Sequence, residues 1–391
     1  MLLTILAVIL YSAPVALSLD NKEVPEDGRL NFTGLALKYA GAVQEYDVTT
    51  EDGYVLKIYR IPGDNTKPLL LMHGILATSD DFIISGNDSL AVSLKNEGYD
   101  IWFGNYRGNR YSRRHMTLDP DANSTFWYFG PHEHGYHDLA TSIDFVLNRT
   151  GVKQLSLIGY SEGTMIAYIL AAERPEYNDK IKVFIAMAPI CHVDKMIERH
   201  PVLVEIGFIF IKLFKHFKVE EIAGFDSITG AMTRSFCGHN AIGIKVCRQI
   251  LFLVSGNDPE GLIPEFMSTL FWHYPVGTSR TNLEHFLQIM ASKRFAKFDY
   301  GPVENLRRYK SKLPPEYDLS KVTMSKYLIA ARNDRLSALG DSGRQAKELP
   351  NVMEYTFVDS DSFNHIDFLW SRQSRQYVHP KVLKILKEYN S

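Results

Sequence analysis

The sequence predicts an α/β protein whose central sheet is mostly parallel. Short apolar runs that end in Gly, Pro or a polar residue recur along the chain, as strands buried on both faces of a sheet would. Segments with helical spacing lie between them, and one long helical segment interrupts the alternation before the last strands. A chain of 391 residues suits one large α/β domain that carries an insertion.

The predicted elements follow one another in a regular order. The segment "TTEDGYVLKIYRIP" has an Asp-Gly turn at 52–53 and then alternating apolar residues, which predicts a hairpin. Buried strands are then predicted in "KPLLLMHG", "YDIWFGNYRG", "KQLSLIGYSEG", "IKVFIAMAP" and "MSKYLIAARND". Helices are predicted at 82–97, 134–147 and 162–173.

The alternation stops near residue 190 and resumes near 316. We therefore predict an α/β core from residues 19–190 and 316–391, with residues 191–315 forming a helical cap with a lid. The segment from Val202 to Ile211 is almost without polar residues, which favours a lid that contacts apolar ligands. The alternative is a helical subdomain with a closed core of its own.

The first 18 residues are predicted to be a cleaved signal peptide. An apolar stretch from Leu2 to Leu10 is followed by Ala16 and Ser18 at the −3 and −1 positions of a cleavage site. This stretch is shorter than the roughly 20 residues that a membrane span needs, although a retained anchor is the alternative. Asn-x-Ser/Thr sites that support a secretory route, to the extracellular space or gut lumen or to the lysosome, are Asn31, Asn87, Asn123 and Asn148.

Charge and cysteine content restrict the possible partners. The net charge of −2 does not favour nucleic-acid binding, and the local basic cluster is interpreted as a solvated or ion-paired loop. That cluster consists of Arg107, Arg110, Arg113 and Arg114. Cys237 and Cys247 are close enough in sequence to close a small loop, whereas Cys191 is expected to be a buried free thiol.

The stretch "LIGYSEGTM" carries the strongest chemical signal. Ser161 lies between Gly159 and Gly163 in a G-x-S-x-G pattern, after the strand-like run "QLSLI" and before the helix-like "TMIAYILAAE". In this context the glycines permit a tight strand-to-helix turn that presents the serine at the end of the sheet. We therefore predict that Ser161 is a nucleophile and that the following helix start favours developing negative charge.

A serine hydroxyl is a weak nucleophile and needs a base and an orienting acid. Asp334 follows the apolar strand of "LIAARNDRLSA", and His365 lies in "VDSDSFNHIDFLW", after another strand-like stretch. The order Ser, Asp, His is the one that such a fold requires. Competing acids, farther from a strand end or too close to the histidine, are Asp341, Asp359, Asp361 and Asp367.

Acyl transfer also requires donors for an oxyanion. The run "LLLMHGILATSDDF" ends a strand at His73-Gly74, so the backbone N–H of Ile75 is predicted to face the serine. The backbone N–H of Glu162 is the predicted second donor. His73 is expected to be structural, because His365 fills the base role better.

These stretches together resemble the acid lipase family of gastric and lysosomal lipases. The stretches that carry the resemblance are "EYDVTTEDGYVLKIYRIP", "LLLMHGILATSDDF", "DIWFGNYRGNRYSRRH", "LIGYSEGT", "PVGTSRTNLEHFLQ", "ARNDRLSA" and "FNHIDFLW". The resemblance implies an α/β-hydrolase fold and hydrolysis of neutral lipid esters at a lipid–water interface, by a monomer without metal or cofactor. It maps the nucleophile, acid and base to Ser161, Asp334 and His365, and the oxyanion donors to Ile75 and Glu162. It also implies a cap disulfide between Cys237 and Cys247, with one more residue between the cysteines than usual.

The chain departs from the family pattern in two places. Tyr160 and Glu162 stand where the family usually has His and Gln. A carboxylate near a developing oxyanion is unfavourable, so the Glu162 side chain is expected to face away from that site. The segment "FGPHEHGYHDLA" could suggest a metal site through His132, Glu133, His134 and His137, but we interpret it as a polar surface loop.

The leading hypothesis is a lipase that acts on triacylglycerols or sterol esters through an acyl-enzyme. One alternative is a lipid-binding or carrier protein built on a lipase scaffold, which the altered residues 160 and 162 suggest. Another is an esterase for smaller acyl esters.

Overall fold

A mixed sheet of eight strands forms the centre of the molecule. The computed structural model describes residues 24–199, 201–238 and 241–390, and the predicted signal peptide lies outside these residues. The strands are β1 (Gln44–Thr49), β2 (Val55–Ile61), β3 (Asp64–Met72), β4 (Tyr99–Gly104), β5 (Leu155–Tyr160), β6 (Ile181–Met187), β9 (Lys326–Ala330) and β10 (Val352–Phe357). Their spatial order is β1-β2-β4-β3-β5-β6-β9-β10.

Most strand pairs in this sheet are parallel. The β1–β2 and β2–β4 pairs are antiparallel, whereas all pairs from β4 to β10 are parallel. Every residue of β4, β5 and β9 is buried, because helices cover both faces of the sheet, whereas β1 is a partly exposed edge strand. The predicted hairpin and the mostly parallel α/β architecture are confirmed.

Helices of the core flank this sheet. Its main helices are Phe32–Ala40, Leu90–Asn96, the continuous segments Pro131–Glu133, His134–Leu139 and Ala140–Thr150, then Glu162–Glu173, Leu339–Glu348 and His379–Asn390. Shorter helices or turns are Glu26–Arg29, Ser79–Phe82, Gly86–Asp88, Ser124–Trp127, Pro175–Lys180, Leu319–Lys321, Asp367–Trp370 and Ser374–Tyr377.

The helix predicted at 82–97 is wrong over its first half. The α-helix begins only at Leu90, because Ser89 is extended and its hydroxyl caps the helix by accepting a hydrogen bond from the Val92 N–H. The preceding segment forms short turns instead. By contrast, the helix predicted at 162–173 is confirmed at both ends.

The segment predicted as a cap contains most of the remaining helices. They are Asp194–Arg199, Pro201–His216, Ile228–Gly238, Ala241–Ser255, Pro264–His273, Arg280–Ser292 and Pro302–Tyr309. Two short strands, β7 (Glu221–Ile222) and β8 (Thr278–Ser279), also pair there, a feature that the helical interpretation missed. A disulfide joins Cys237 to Cys247 and thereby links two successive helices, and Cys191 is a buried free thiol.

The basic cluster is an ion-paired loop, as predicted. Arg107 is almost fully buried and its guanidinium contacts the carboxylates of Asp52, at 2.5 Å, and Asp138, at 2.6 Å. Arg113 pairs with Asp121 and Glu221, and Arg114 pairs with Asp47. Within the described residues, no helix combines the length and apolar character needed to cross a membrane.

Candidate active site

The predicted site residues lie at one edge of the sheet. Gly74 and Ile75 follow β3, Ser161 follows β5, Asp334 follows β9 and His365 follows β10. Because these four strands are parallel, their carboxyl ends meet at the same edge. The sheet topology therefore brings together side chains that are far apart in the sequence.

Ser161 occupies a strained turn between β5 and the helix Glu162–Glu173. Its φ of 54° and ψ of −117° lie outside the regions that residues with side chains normally adopt. The turn is held by hydrogen bonds from the Ser161 N–H to the Met187 carbonyl and from the Thr164 N–H to the Ser161 carbonyl. This geometry directs the Ser161 hydroxyl into a narrow cavity above the sheet edge.

The two flanking glycines are sterically required. A Cβ on Gly163 would lie 2.3 Å from the Met72 carbonyl oxygen in β3, and one on Gly159 would lie 2.6 Å from the Gly163 carbonyl oxygen. Both distances are below any tolerable contact, so the helix can approach the sheet this closely only without side chains at 159 and 163.

Ser161, His365 and Asp334 form a hydrogen-bonded row. The Ser161 Oγ lies 2.8 Å from His365 Nε2, and His365 Nδ1 lies 2.8 Å from Asp334 Oδ2. The other carboxylate oxygen of Asp334 accepts hydrogen bonds from the N–H groups of Leu336 (2.8 Å) and Ser337 (2.7 Å). Asp334 is thus fixed as an acceptor, which assigns the proton on His365 to Nδ1 and leaves Nε2 able to accept the serine proton.

The competing acids have other environments. Asp359 and Asp361 are exposed, and Asp341 accepts a hydrogen bond from the Lys195 N–H. Asp367 accepts one from the Asn364 N–H, and burial, together with Asp258, raises its pKa to about 8. Among these acids, only Asp334 contacts His365.

The two predicted oxyanion donors have free backbone N–H groups. Neither the Ile75 N–H nor the Glu162 N–H has an acceptor among the described residues. The Glu162 N–H is at the first position of its helix, where no intrahelical acceptor exists. An oxygen that bonds both groups would also gain from the positive end of the helix dipole.

The side chain of Glu162 turns away from this site, as expected. Its Oε1 lies 3.0 Å from Nδ1 of His134, and both side chains are only 1% exposed. The His134 ring stacks on Tyr106 with centroids 4.6 Å apart, and the Tyr106 hydroxyl donates to the His73 carbonyl. The carboxyl of Glu162 thus belongs to a buried polar network behind the turn.

The prediction of a polar surface loop at residues 129–140 is therefore wrong. Most of these residues start a long helix, and His134 is buried because it supplies the partner of Glu162. The other histidines face different groups: His132 contacts the Tyr317 hydroxyl, at 3.1 Å, and His137 contacts Glu51, at 2.8 Å. No local sequence pattern indicated the pairing of His134 with Glu162, since they lie 28 residues apart.

His73 has the structural role that we expected. It is fully buried, its Nδ1 lies 2.8 Å from the Gly74 carbonyl, and its Nε2 lies 3.1 Å from the Asn109 side-chain amide. Burial, with a smaller contribution from His134, lowers its pKa to about 3. The His73 ring is therefore neutral, and it supports the end of strand β3.

A narrow cavity of about 70 Å³ opens over the serine. From the core it is lined by Gly74, Ile75, Tyr160, Ser161 and His365, among others. Its opposite wall comes from the helix Ala241–Ser255, through Leu251, Val254 and Ser255. The helix of the inserted segment therefore covers the reacting groups directly.

Comparisons with protein families and curated proteins give consistent matches. Residues 67–206 match the α/β hydrolase fold, and residues 35–86 match a partial α/β-hydrolase lipase region. The chain is similar to Lipase 1 of Drosophila melanogaster, with 36% identity over 94% of this chain and 82% of the relative. It is also similar to the gastric triacylglycerol lipase of Homo sapiens, with 32% identity over 92% of this chain and 91% of the relative. Lipase member K of Homo sapiens is 30% identical over 94% of this chain and 93% of the relative.

Solved structures match in fold. One is described as a putative lipase from Sulfolobus solfataricus, with a TM-score of 0.59 and 13% identity over 88% of this chain and 94% of that chain. Another is an esterase from Exiguobacterium antarcticum, with a TM-score of 0.55 and 15% identity over 88% of this chain and 100% of that chain. At these identities the likeness concerns the fold alone.

Proposed function

The chain belongs to the acid lipase family of α/β-hydrolases and is a lipase, and we propose that Ser161, His365 and Asp334 are its catalytic triad. Its substrates are the carboxylic esters of neutral lipids, triacylglycerols or sterol esters. The observation that carries this assignment is the unbroken row of hydrogen bonds from the serine hydroxyl through the imidazole to the buried carboxylate. It also argues against a lipid carrier without catalytic activity, because such a protein would have no need of an aligned base.

The geometry supports a two-step acyl transfer. The Ser161 Oγ attacks the ester carbonyl carbon while His365 Nε2 accepts the hydroxyl proton. The carbonyl oxygen becomes an oxyanion that the N–H groups of Ile75 and Glu162 stabilise. His365 then returns the proton to the departing alkoxide, so that an alcohol leaves and an acyl-serine remains. In the second step a water molecule, deprotonated by His365, attacks the acyl-serine, and a fatty acid and free Ser161 result.

The cap must move before a lipid can enter. The cavity of about 70 Å³ is far smaller than the roughly 300–1,000 Å³ of pockets that hold larger ligands. Large apolar side chains lie exposed on the cap helices or directly after one of them, namely Val202, Ile209, Leu213, Phe217, Ile228, Ile242, Ile250 and Leu253. Contact of these side chains with a lipid surface would remove their apolar area from water and so hold the cap against the lipid. We propose that the enzyme opens at a lipid–water interface.

A substrate panel tests the proposed function. We expect the wild-type chain to hydrolyse emulsified trioleoylglycerol or cholesteryl oleate faster than the soluble ester p-nitrophenyl butyrate, because only the emulsions offer a surface that displaces the cap. Release of fatty acid or nitrophenol is measured across pH, with the Ser161→Ala chain as the blank. Hydrolysis confined to the soluble ester would instead establish the alternative, an esterase for small acyl groups.

The proposed route of the protein is secretion or delivery to the lysosome. All four sequon asparagines, Asn31, Asn87, Asn123 and Asn148, are exposed, so each is accessible to glycosylation. The disulfide between Cys237 and Cys247 is also typical of proteins that mature outside the cytosol.

Glu162→Gln is expected to leave ester hydrolysis within about threefold of wild type, a change of ~0.7 kcal/mol in the barrier. The glutamine carbonyl can still accept a hydrogen bond from His134 Nδ1, and this side chain does not line the cavity. The measurement is kcat/KM on a soluble ester between pH 4 and 8. A large gain confined to neutral pH would show that the Glu162 charge opposes formation of the oxyanion, contrary to this expectation.

A further inference from the structure

The wall of the catalytic cavity contains two polar groups that the triad mechanism does not use. They are the carboxyl of Asp81 and the indole Nε1 of Trp370, on residues that are 1% and 5% exposed. By hydrogen-bond geometry, neither carboxyl oxygen of Asp81 nor Nε1 of Trp370 has a partner among the described residues, although the Trp370 indole lies close enough to Asp81 to act on it as a weak donor. Buried polar groups without partners cost free energy, so their retention in a substrate cavity requires an explanation.

The neighbouring residue Asp80 differs from Asp81 in having hydrogen-bond partners within the protein, as a structural acid does. The Asp80 carboxylate contacts His273 Nδ1 at 2.7 Å and accepts from the Tyr111 hydroxyl at 2.9 Å, so its oxygens are satisfied. Asp81 instead points toward the cavity lined by Tyr160 and Tyr274. Burial, and then the charge of Asp80, raise the pKa of Asp81 well above its ordinary value, whereas the nearby indole N–H of Trp370 acts in the opposite direction as a hydrogen-bond donor. Burial thus favours the protonated form of the Asp81 carboxyl, which can both donate and accept a hydrogen bond.

The loops that carry the catalytic groups also position this pair. Asp81 lies in the turn Ser79–Phe82, a few residues after the predicted oxyanion donor Ile75. Trp370 ends the short helix Asp367–Trp370, which begins two residues after His365. The two segments are joined by a hydrogen bond from the Ser85 hydroxyl to the Leu369 carbonyl, and the Trp370 ring packs on Tyr274 with centroids 4.9 Å apart. Both polar groups therefore keep a fixed place beside the serine.

We propose that Asp81 and Trp370 form a subsite for the oxygen atoms of a glycerol group next to the ester that is cleaved. This inference rests on the proposed lipase function and selects a substrate class within it. An acylglycerol carries ester or hydroxyl oxygens on the carbons adjacent to the reacting position. Trp370 Nε1–H donates to such an oxygen, and the Asp81 carboxyl donates to a carbonyl or accepts from a hydroxyl. The alcohol part of a sterol ester is a hydrocarbon next to its ester, and it would offer neither group a hydrogen bond.

Discrimination of this kind is effective because a polar site penalises a ligand that cannot pair with it. One lost hydrogen bond in a dry site corresponds to about a tenfold change in rate. The subsite therefore favours acylglycerols over sterol esters for the same triad and the same acyl chain.

The test compares Asp81→Leu, which keeps the side-chain shape, with Asp81→Asn, which keeps hydrogen bonding. Trioleoylglycerol and cholesteryl oleate are presented in the same mixed micelles, and the ratio of their kcat/KM values is measured. We expect Asp81→Leu to lower the ratio about tenfold, mainly through KM for trioleoylglycerol, and Asp81→Asn to restore it to within about threefold of wild type. Trp370→Phe, which removes the Nε1–H donor together with part of the ring volume, is expected to lower the ratio in the same direction.

A thermal melt accompanies each variant. An apolar isostere removes an unpaired buried polar group, so Asp81→Leu is expected to melt no lower than wild type. Equal losses on both substrates, or an unchanged ratio in both Asp81→Leu and Trp370→Phe, would overturn the subsite while leaving the lipase function intact. A wild-type chain that hydrolyses neither substrate would overturn the proposed function first, and the subsite with it.

Discussion

Ser161→Ala is expected to lower ester hydrolysis by about 10⁵-fold or more, because it removes the hydroxyl that attacks the ester. The nucleophile position is set by the strained turn, and His365 Nε2 has Ser161 Oγ as its 2.8 Å partner. Alanine keeps a Cβ and meets the same backbone strain, so the fold should be retained. The remaining oxyanion donors give only residual activity over water.

The measurement combines turnover with covalent labelling. A fluorophosphonate probe should label the wild-type chain and leave Ser161→Ala unlabelled, while both chains melt at similar temperatures. Ser156→Ala is a matched control, because Ser156 is also buried in β5 but does not line the cavity. Activity that survives in Ser161→Ala, or that disappears equally in Ser156→Ala, would refute the mechanism.

Asp334→Asn is expected to lower kcat by about 10⁴-fold through the tautomer of His365. In the native chain one oxygen of Asp334 accepts from the N–H groups of Leu336 and Ser337, and the other faces His365 Nδ1. An asparagine would place its carbonyl oxygen against the two N–H donors, so its NH₂ group would face Nδ1. Nδ1 must then act as an acceptor, the ring proton moves to Nε2, and the base can no longer take the serine proton.

Asp367→Asn provides the matched control for this second substitution. Asp367 is buried two residues from His365, but its carboxyl accepts from the Asn364 N–H, whereas the ring nitrogens of His365 face Asp334 and Ser161. Because its pKa is raised to about 8, it is largely protonated below that pH, and an amide resembles its native state. We expect Asp367→Asn to keep most of the activity at pH 5–7. A larger loss in Asp367→Asn than in Asp334→Asn would show that Asp334 is not the orienting acid.

Local patterns predicted the elements that deliver the site. The continuous apolar runs identified the buried strands, because a strand covered on both faces has no polar positions to alternate with. The order of Ser161, Asp334 and His365, each placed after a strand, named three residues that the structure places in one hydrogen-bonded row. Their catalytic roles stay predictions until the two substitutions above are measured.

Predictions failed where a distant partner, and not local periodicity, decided the structure. The helix expected from residue 82 begins at Leu90, since the preceding residues form turns that carry Asp81 to the cavity wall. The polar pattern at 129–140 indicated an exposed loop, but the pairing of His134 with Glu162 buries it. Neither outcome can be read from the spacing of residues within one segment.

The segment from Gly159 to Gly163 has some features that local sequence determines and others that tertiary contacts determine. The sequence alone determined that this stretch is a strand, a tight turn and a helix, because glycine spacing and apolar runs act over a few residues. Only the packed sheet and helices decided that Glu162 faces His134, that His365 meets Ser161 and that Asp81 stands in the same cavity. Those contacts join residues from different strands, and strand pairing and burial select them through the free energy of the whole molecule.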